Sequence, residues 1–259
     1  MQNRTFTDQL NRQIALPFPP KRIISLVPSQ TELLYYLGLE EEVVGITKFC
    51  VHPEKWFRSK QRIGGTKTYH LDRIDALKPD LIIANKEEND QAQVEALAEK
   101  YPVWISDIKN LDDALDMINR VGALVGKPSE ADILVENIQE KFANLPKQPT
   151  LQTAVYFIWR EPYMVAGGDT FINEMMRFAG FKNLLEEQER YPEITLETLV
   201  EMNPEVILLS SEPFPFKEKH IADFKAICPN AVVELVDGEL YSWYGNRLLN
   251  AANAFEGCP

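Results

Sequence analysis

Short apolar runs and helix-like stretches take turns along this chain. Arg22-Ile23-Ile24-Ser25-Leu26-Val27 is almost continuously apolar, the pattern of a parallel strand buried on both faces. Pro28 to Glu32 then opens a helix predicted over 31–37, which Gly38 ends. The same reading predicts strands at 43–47, 79–84 and 103–105 and helices at 71–77, 88–101 and 111–125. Residues 1–20 are polar and then proline-rich, and predict an extended lead-in. A longer helix is predicted over 129–145, with Ser129 as N-cap and Asp132 as its partner. Ala131, Leu134, Ile138, Phe142 and Leu145 fall on one face of it, and Leu145-Pro146 closes it. Beyond it the alternation resumes, with strands at 153–158, 204–209 and 231–235 and helices at 171–178, 196–202, 221–227 and 247–255.

The two halves repeat one another. Leu71-Asp72-Arg73-Ile74-Asp75-Ala76-Leu77-Lys78-Pro79-Asp80-Leu81-Ile82-Ile83 runs in register with Leu196-Glu197-Thr198-Leu199-Val200-Glu201-Met202-Asn203-Pro204-Glu205-Val206-Ile207-Leu208. Leucine, acid, proline, acid and apolar run coincide, and a strand-helix-glycine order at 23–38 returns at 155–180. The expected fold is α/β, with two similar lobes built on central parallel sheets, joined by one long helix, and a ligand cleft between them. The expected divisions are an N-terminal lobe at 20–125, a backbone helix at 126–147 and a C-terminal lobe at 148–259. A single stiff connecting helix permits only modest closure.

Composition narrows the function. A net charge of -12 without a Lys/Arg run argues against nucleic acid as a partner. Three cysteines, Cys50, Cys228 and Cys258, are too few for a disulfide framework, and whether Cys50 and Cys228 pair stays open. No stretch approaches the length of a transmembrane helix, and the N-terminus as written has no apolar core of a signal peptide. Gly122 to Ser129 has glycines and a lysine in an order like a phosphate-binding loop, but its spacing is short and it follows a helix. Cys50 and His52 make two metal ligands at most, and no nucleophile elbow or dinucleotide loop is present.

The stretches 22–33, 71–84 and 204–207 resemble the substrate-binding proteins of ABC importers that have a single helical backbone between lobes. These are the class III receptors for vitamin B12, ferric siderophores and haem, and the resemblance covers about residues 20 to 255. It is nearest to the vitamin B12 receptors. It implies a non-enzymatic protein that takes a bulky iron complex or cobalamin-like ligand to a membrane permease, as a monomer in the periplasm or cell envelope. It implies no intrinsic cofactor, since cobalt or iron would arrive with the ligand. The other class of function that fits is a soluble two-domain α/β enzyme or sensor acting on a metal-containing cofactor. The chain as written leaves that sensor reading, and a cytoplasmic location, open.

Ligands of parallel α/β lobes bind at the carboxyl ends of strands. The loops there are aromatic: Phe49 in the first half, and Trp159, Tyr163, Tyr191, Trp243 and Tyr244 in the second. Rings of this kind suit a large planar ligand, although each one singly also suits ordinary packing. By the resemblance, Phe49, Tyr163 and Tyr191 match aromatic positions that touch the corrin. Thr66 and Asn85 stand where those receptors have tryptophans, so cobalamin itself is less well matched. Arg160, Arg190, Arg247, Lys48 and Lys67 offer an anionic ligand instead, with Arg160 the first choice and the lysines and Arg190 read as solvated loop charges. The resemblance makes Asp72 and Glu197 the acids that dock on permease arginines. As first-turn acids they also suit the helix dipole alone.

Overall fold

The computed structural model describes residues 2–146 and 148–257 of the protein. In chain order the first part runs β1 (Gln2–Thr7), β2 (Gln13–Phe18), β3 (Ile23–Ser25), α1 (Pro28–Tyr36), β4 (Val43–Ile46), α2 (Glu54–Ser59), β5 (Gln61–Arg62), α3 (Leu71–Leu77), β6 (Leu81–Asn85), α4 (Gln91–Ala98), β7 (Val103–Ser106), α5 (Leu111–Val125) and α6 (Pro128–Ala143). The second part runs β8 (Gln152–Trp159), β9 (Met164–Val165), α7 (Phe171–Phe178), β10 (Phe181–Asn183), α8 (Leu196–Met202), β11 (Val206–Ser210), α9 (Glu218–Ile227), β12 (Val232–Val236), α10 (Gly238–Ser242) and α11 (Leu248–Phe255).

The chain forms two compact units. One takes the chain up to Ile108 with Asp112–Asn137 and Tyr244–Arg247, and the other takes Lys109–Leu111, Ile138–Trp243 and the described residues from Leu248 on. The boundary therefore falls inside α6. In the first unit the sheet order is β5-β4-β3-β6-β7, parallel throughout. Chain order reverses between β3 and β6, which makes the ends of those strands the switch point of that sheet. In the second unit the order is β10-β8-β11-β12, parallel, with β9 antiparallel against β8. Its switch point lies between β8 and β11.

The repeat read from the sequence recurs in atomic detail. α3 and α8 have the same length, and each ends on a left-handed residue, Lys78 at φ 46° and Asn203 at φ 47°. Each buries one residue at the same place, Ile74 and Leu199. The acid after the proline then fastens the start of the neighbouring strand. Asp80 accepts from the backbone N–H groups of Lys21 at 2.7 Å and Arg22 at 2.8 Å. Glu205 accepts from the N–H of Thr153 at 2.7 Å and from its hydroxyl at 2.9 Å. These bonds hold the Glu205 carboxyl below its ordinary pKa.

Several expectations are corrected. The N-terminal lead-in is a hairpin, β1 pairing with β2 antiparallel. Ile14 and Leu16 alternate inward, and the fully buried Asp8 organises the turn by accepting from the N–H groups of Leu10 and Arg12 and from the Arg12 side chain. The long helix starts at Pro128, not at a Ser129 cap, with the proline at a first-turn position where its missing N–H costs nothing. Its predicted apolar face is buried as the spacing requires. The glycine-rich stretch before it is a helix contact. A Cβ on Gly122 would lie 2.3 Å from the Ala131 Cβ, so glycine there lets α5 and α6 approach. Gly126, at φ 77°, makes the turn. Cys50 and Cys228 are both free and buried, and Cys258 lies outside the described residues.

Candidate ligand-binding site

In the first unit a cavity of about 420 Å³ opens beyond the ends of β4 and β5, lined by Lys48, Phe49, Gly64, Gly65, Thr66, Lys67, Thr68 and His70. Its floor is a tightly tied loop. Lys48 donates its backbone N–H to the Gly64 carbonyl at 2.8 Å, and Gly65 donates to that of Thr68 at 2.8 Å. Gly64 sits at φ 123°, where a Cβ would meet the Thr68 oxygen at 2.4 Å. At Gly65 a Cβ would lie 3.2 Å from the Phe49 ring and 3.5 Å from the Lys48 Cε, so its absence leaves room for both side chains. The Thr66 carbonyl accepts from the Tyr69 hydroxyl at 2.8 Å and from the Asn89 amide at 3.0 Å. Such a loop is held by its own backbone bonds and has little conformational freedom left to lose on binding.

Phe49 is 50% exposed and carries the Lys48 ammonium 4.9 Å from its ring centre. Lys67 reaches the Glu87 backbone carbonyl at 2.8 Å. Among the described residues neither lysine is paired with a carboxylate, and the cavity lining holds no acid. The structure thus brings Phe49 and Thr66 together in one lining with Lys48 and Lys67, both exposed. Below this loop the Cys50 thiol is closed off: burial pushes its pKa up to about 11, against hydrogen bonds from Thr31 and Thr47.

Asn85 is corrected. It is 3% exposed, and its amide donates to the Ser106 hydroxyl at 3.0 Å while its carbonyl accepts from the N–H groups of Glu87 and Glu88. It shapes the loop at the switch point and offers nothing outward. Tyr244 is buried too. Its hydroxyl donates to Glu88 at 2.8 Å, and burial pushes its pKa well up. Beside it Arg247 grips Glu32 through two bonds of 2.9 and 2.8 Å. The segment Tyr244–Arg247 is therefore a structural part of the first unit, with Gly245 placed so that a Cβ would lie 3.6 Å from the Ser29 carbonyl.

In the second unit Trp159 stays exposed, with its ring edge-on to Phe214 at 5.8 Å and its indole N–H on the Glu161 carbonyl at 3.2 Å. Arg160 is half-buried and paired with Asp223 at 2.9 Å, so its charge is already matched. Tyr163 packs edge-on against Phe157 and Phe224 at 5.8 and 5.6 Å and serves the core. Tyr191 is half-buried, with Arg190 5.8 Å from its ring centre. The segments carrying Tyr163 and Tyr191 are joined by backbone bonds from Ile194 to Tyr163 and from Val165 to Pro192. Trp243 is buried, and its indole donates to Glu212 at 2.8 Å beside Ser242. Burial raises the Glu212 pKa against those two bonds. Glu88 and Glu212, acids that anchor buried side chains at the two switch points, were not singled out from sequence. Glu88 stands in a polar run that resembles ordinary loop surface, and Glu212 stands between two serines and a Pro-Phe-Pro-Phe stretch.

Asp72 and Glu197 are exposed first-turn residues of α3 and α8. Hydrogen bonds from its own backbone N–H and from Thr195 lower the Glu197 pKa. Among the described residues, no helix is long and apolar enough to cross a membrane.

A family model described as "Periplasmic binding protein" matches residues 23–226. The chain belongs to that family. It is 28% identical over 216 residues to an uncharacterized ABC transporter substrate-binding lipoprotein of Bacillus subtilis, covering 79% of this chain and 68% of the relative. It is 26% identical over 240 residues to the vitamin B12-binding protein of Pectobacterium carotovorum, covering 90% of this chain and 86% of that one. Among solved structures, a periplasmic heme binding protein from Pseudomonas aeruginosa aligns with a TM-score of 0.77 at 20% identity, over 92% of this chain and 91% of that chain. That last likeness establishes the fold. Membership agrees with the two-unit α/β architecture and favours transport over the enzyme or sensor reading.

Proposed function

We propose that this chain is the substrate-binding protein of an ABC importer. It takes a bulky iron complex or cobalamin-like ligand in the cell envelope and delivers it to a membrane permease. The observation that carries this is membership of the binding-protein family across both units, with a preformed cavity at the strand ends where such folds take ligands. Phe49 and Thr66 line that cavity and are the ligand contacts of the first unit in this reading; within the second unit Trp159, Tyr163 and Tyr191 keep accessible surface. Relatives named for vitamin B12 support the tetrapyrrole class. The absence of tryptophan at 66 and 85 leaves iron complexes equally in view.

Asp72 and Glu197 are the docking acids in this reading, because the repeat gives each unit one exposed carboxylate at the same helical position. Charge reversal at both, Asp72→Arg with Glu197→Arg, is expected to abolish stimulation of permease ATPase activity in proteoliposomes and to leave ligand affinity intact. Unchanged stimulation would return both residues to the role of helix-end charges.

A further inference from the structure

The first unit's cavity is cationic in a protein of net charge -12. Many cations elsewhere on this chain stand beside an acid. Lys55 meets Glu40 at 2.8 Å, Lys86 meets Asp107, and Lys127 meets Glu130 at 3.0 Å. Lys48 and Lys67 do not. Lys48 lies over the Phe49 ring, and Lys67 caps a neutral backbone carbonyl. Both belong to a loop system fixed by backbone hydrogen bonds, so their stems start from set positions on one cavity wall. Burying an ammonium against a ligand without a counter-charge costs several-fold in affinity, whereas an oxyanion there gains charge-assisted hydrogen bonds. The half-exposed Phe49 ring next to them demands an apolar surface in the same ligand.

We propose that the ligand presents an oxyanion, a carboxylate or phosphate, beside a flat or apolar face, and that Lys48 and Lys67 bind the oxyanion while Phe49 covers the face. This rests on the reading that the cavity beyond β4 and β5 receives the transported ligand, and it selects within the ligand class. Haem, with two free carboxylates, and anionic ferric complexes of carboxylate siderophores satisfy it. Haem dimethyl ester and neutral ferric trihydroxamates satisfy it less well, and cyanocobalamin, neutral overall with a single phosphodiester as its oxyanion, falls between the two groups.

The test is titration calorimetry of the full chain with these five probes, repeated with Lys48→Gln/Lys67→Gln, Phe49→Ala and, as an outside control, Lys100→Gln. All these positions are solvent-facing, and a thermal melt confirms that each variant is folded. The expected result is tighter binding of an anionic probe than of its uncharged counterpart, weakened by rising salt. The double lysine variant should lose about ten- to a hundredfold for the anionic probe, Phe49→Ala should also weaken it, and Lys100→Gln should not. If an uncharged probe binds as well, and only Phe49→Ala weakens it, the charge proposal is overturned and the site stands. If no variant alters the affinity of a probe that binds, the site itself is wrong. If no probe binds, the proposal falls together with the ligand class.

Discussion

The grip of Arg247 on Glu32 decides whether the C-terminal segment Tyr244–Arg247 is architecture or ligand surface. Glu32→Ala removes both acceptors of a two-pronged pair whose side chains are only 12% and 17% exposed. An exposed pair contributes about 0–1 kcal/mol, and breaking a buried one costs about 3–5 kcal/mol because a charge is left stranded. With about one-seventh of each side chain still reaching water, the expected loss is about 2–3 kcal/mol. Arg247→Ala should cost less, since it strands a carboxylate on α1 that can turn toward water. The double variant should cost less than the two singles together, with a coupling of about 1.5 kcal/mol. The assay is urea unfolding of the wild type and the three variants, read in the transition of the N-terminal unit if two transitions separate. A coupling under about 0.5 kcal/mol, together with weaker ligand binding by Arg247→Ala, would refute the structural role and return Arg247 to the ligand.

Other positions give sharper signs. Phe49→Ala should leave stability nearly unchanged, because half the ring already faces water. It should weaken ligand binding by up to about 2.5 kcal/mol, from about 100 Å² of ring surface at about 25 cal/mol per Å², and calorimetry checks it. His220 is buried and its Nδ1 accepts the Lys217 N–H at 2.9 Å; burial, then the nearby Arg160 charge, lower its pKa. The folded state therefore resists protonation, so stability should be full above about pH 6.5 and fall as acid charges the unfolded chain below it. His220→Asn, which can still accept that bond, should flatten the melting temperature across this window. Asp8→Ala should cost about 2–4 kcal/mol by stranding the turn N–H groups and the Arg12 side chain, measured by denaturation.

Legibility of this chain followed the range of the forces involved. α3, α5, α7 and α8 match their predicted spans because periodicity, glycine stops and the residue before proline are local signals. The parallel strands β3, β4, β6, β7, β8, β11 and β12 were visible as apolar runs, and the repeat of Leu71–Leu77 with Leu196–Met202 reached down to their left-handed caps. Pro17, Pro19 and Pro20 mask the N-terminal hairpin, although Ile14 and Leu16 alternate and Asp8 and Asn11 mark a turn. β5, β9 and β10 span only two or three residues and depend on neighbours that local pattern does not name. The candidate site is drawn from sequence as a set of loops, which the structure sorts residue by residue into exposed and buried positions. Phe49 and Thr66 do share a cavity, whereas Asn85, Tyr163, Trp243 and Tyr244 are claimed by packing and hydrogen bonds from distant parts of the chain. An aromatic or amide residue in a loop looks the same in sequence whether a ligand or a buried glutamate awaits it.

The central claim is that this protein captures a tetrapyrrole or iron complex for import. Its most direct test is the melting temperature of the full chain with and without haem, cyanocobalamin and a set of ferric siderophores. At about 100 times Kd a ligand adds about 2.7 kcal/mol, which for a chain of this size raises the melting temperature by about 5–10 °C. The account predicts such a rise with at least one member of the panel. A well-folded protein whose melting temperature moves with none of them, at saturating concentration, would contradict it.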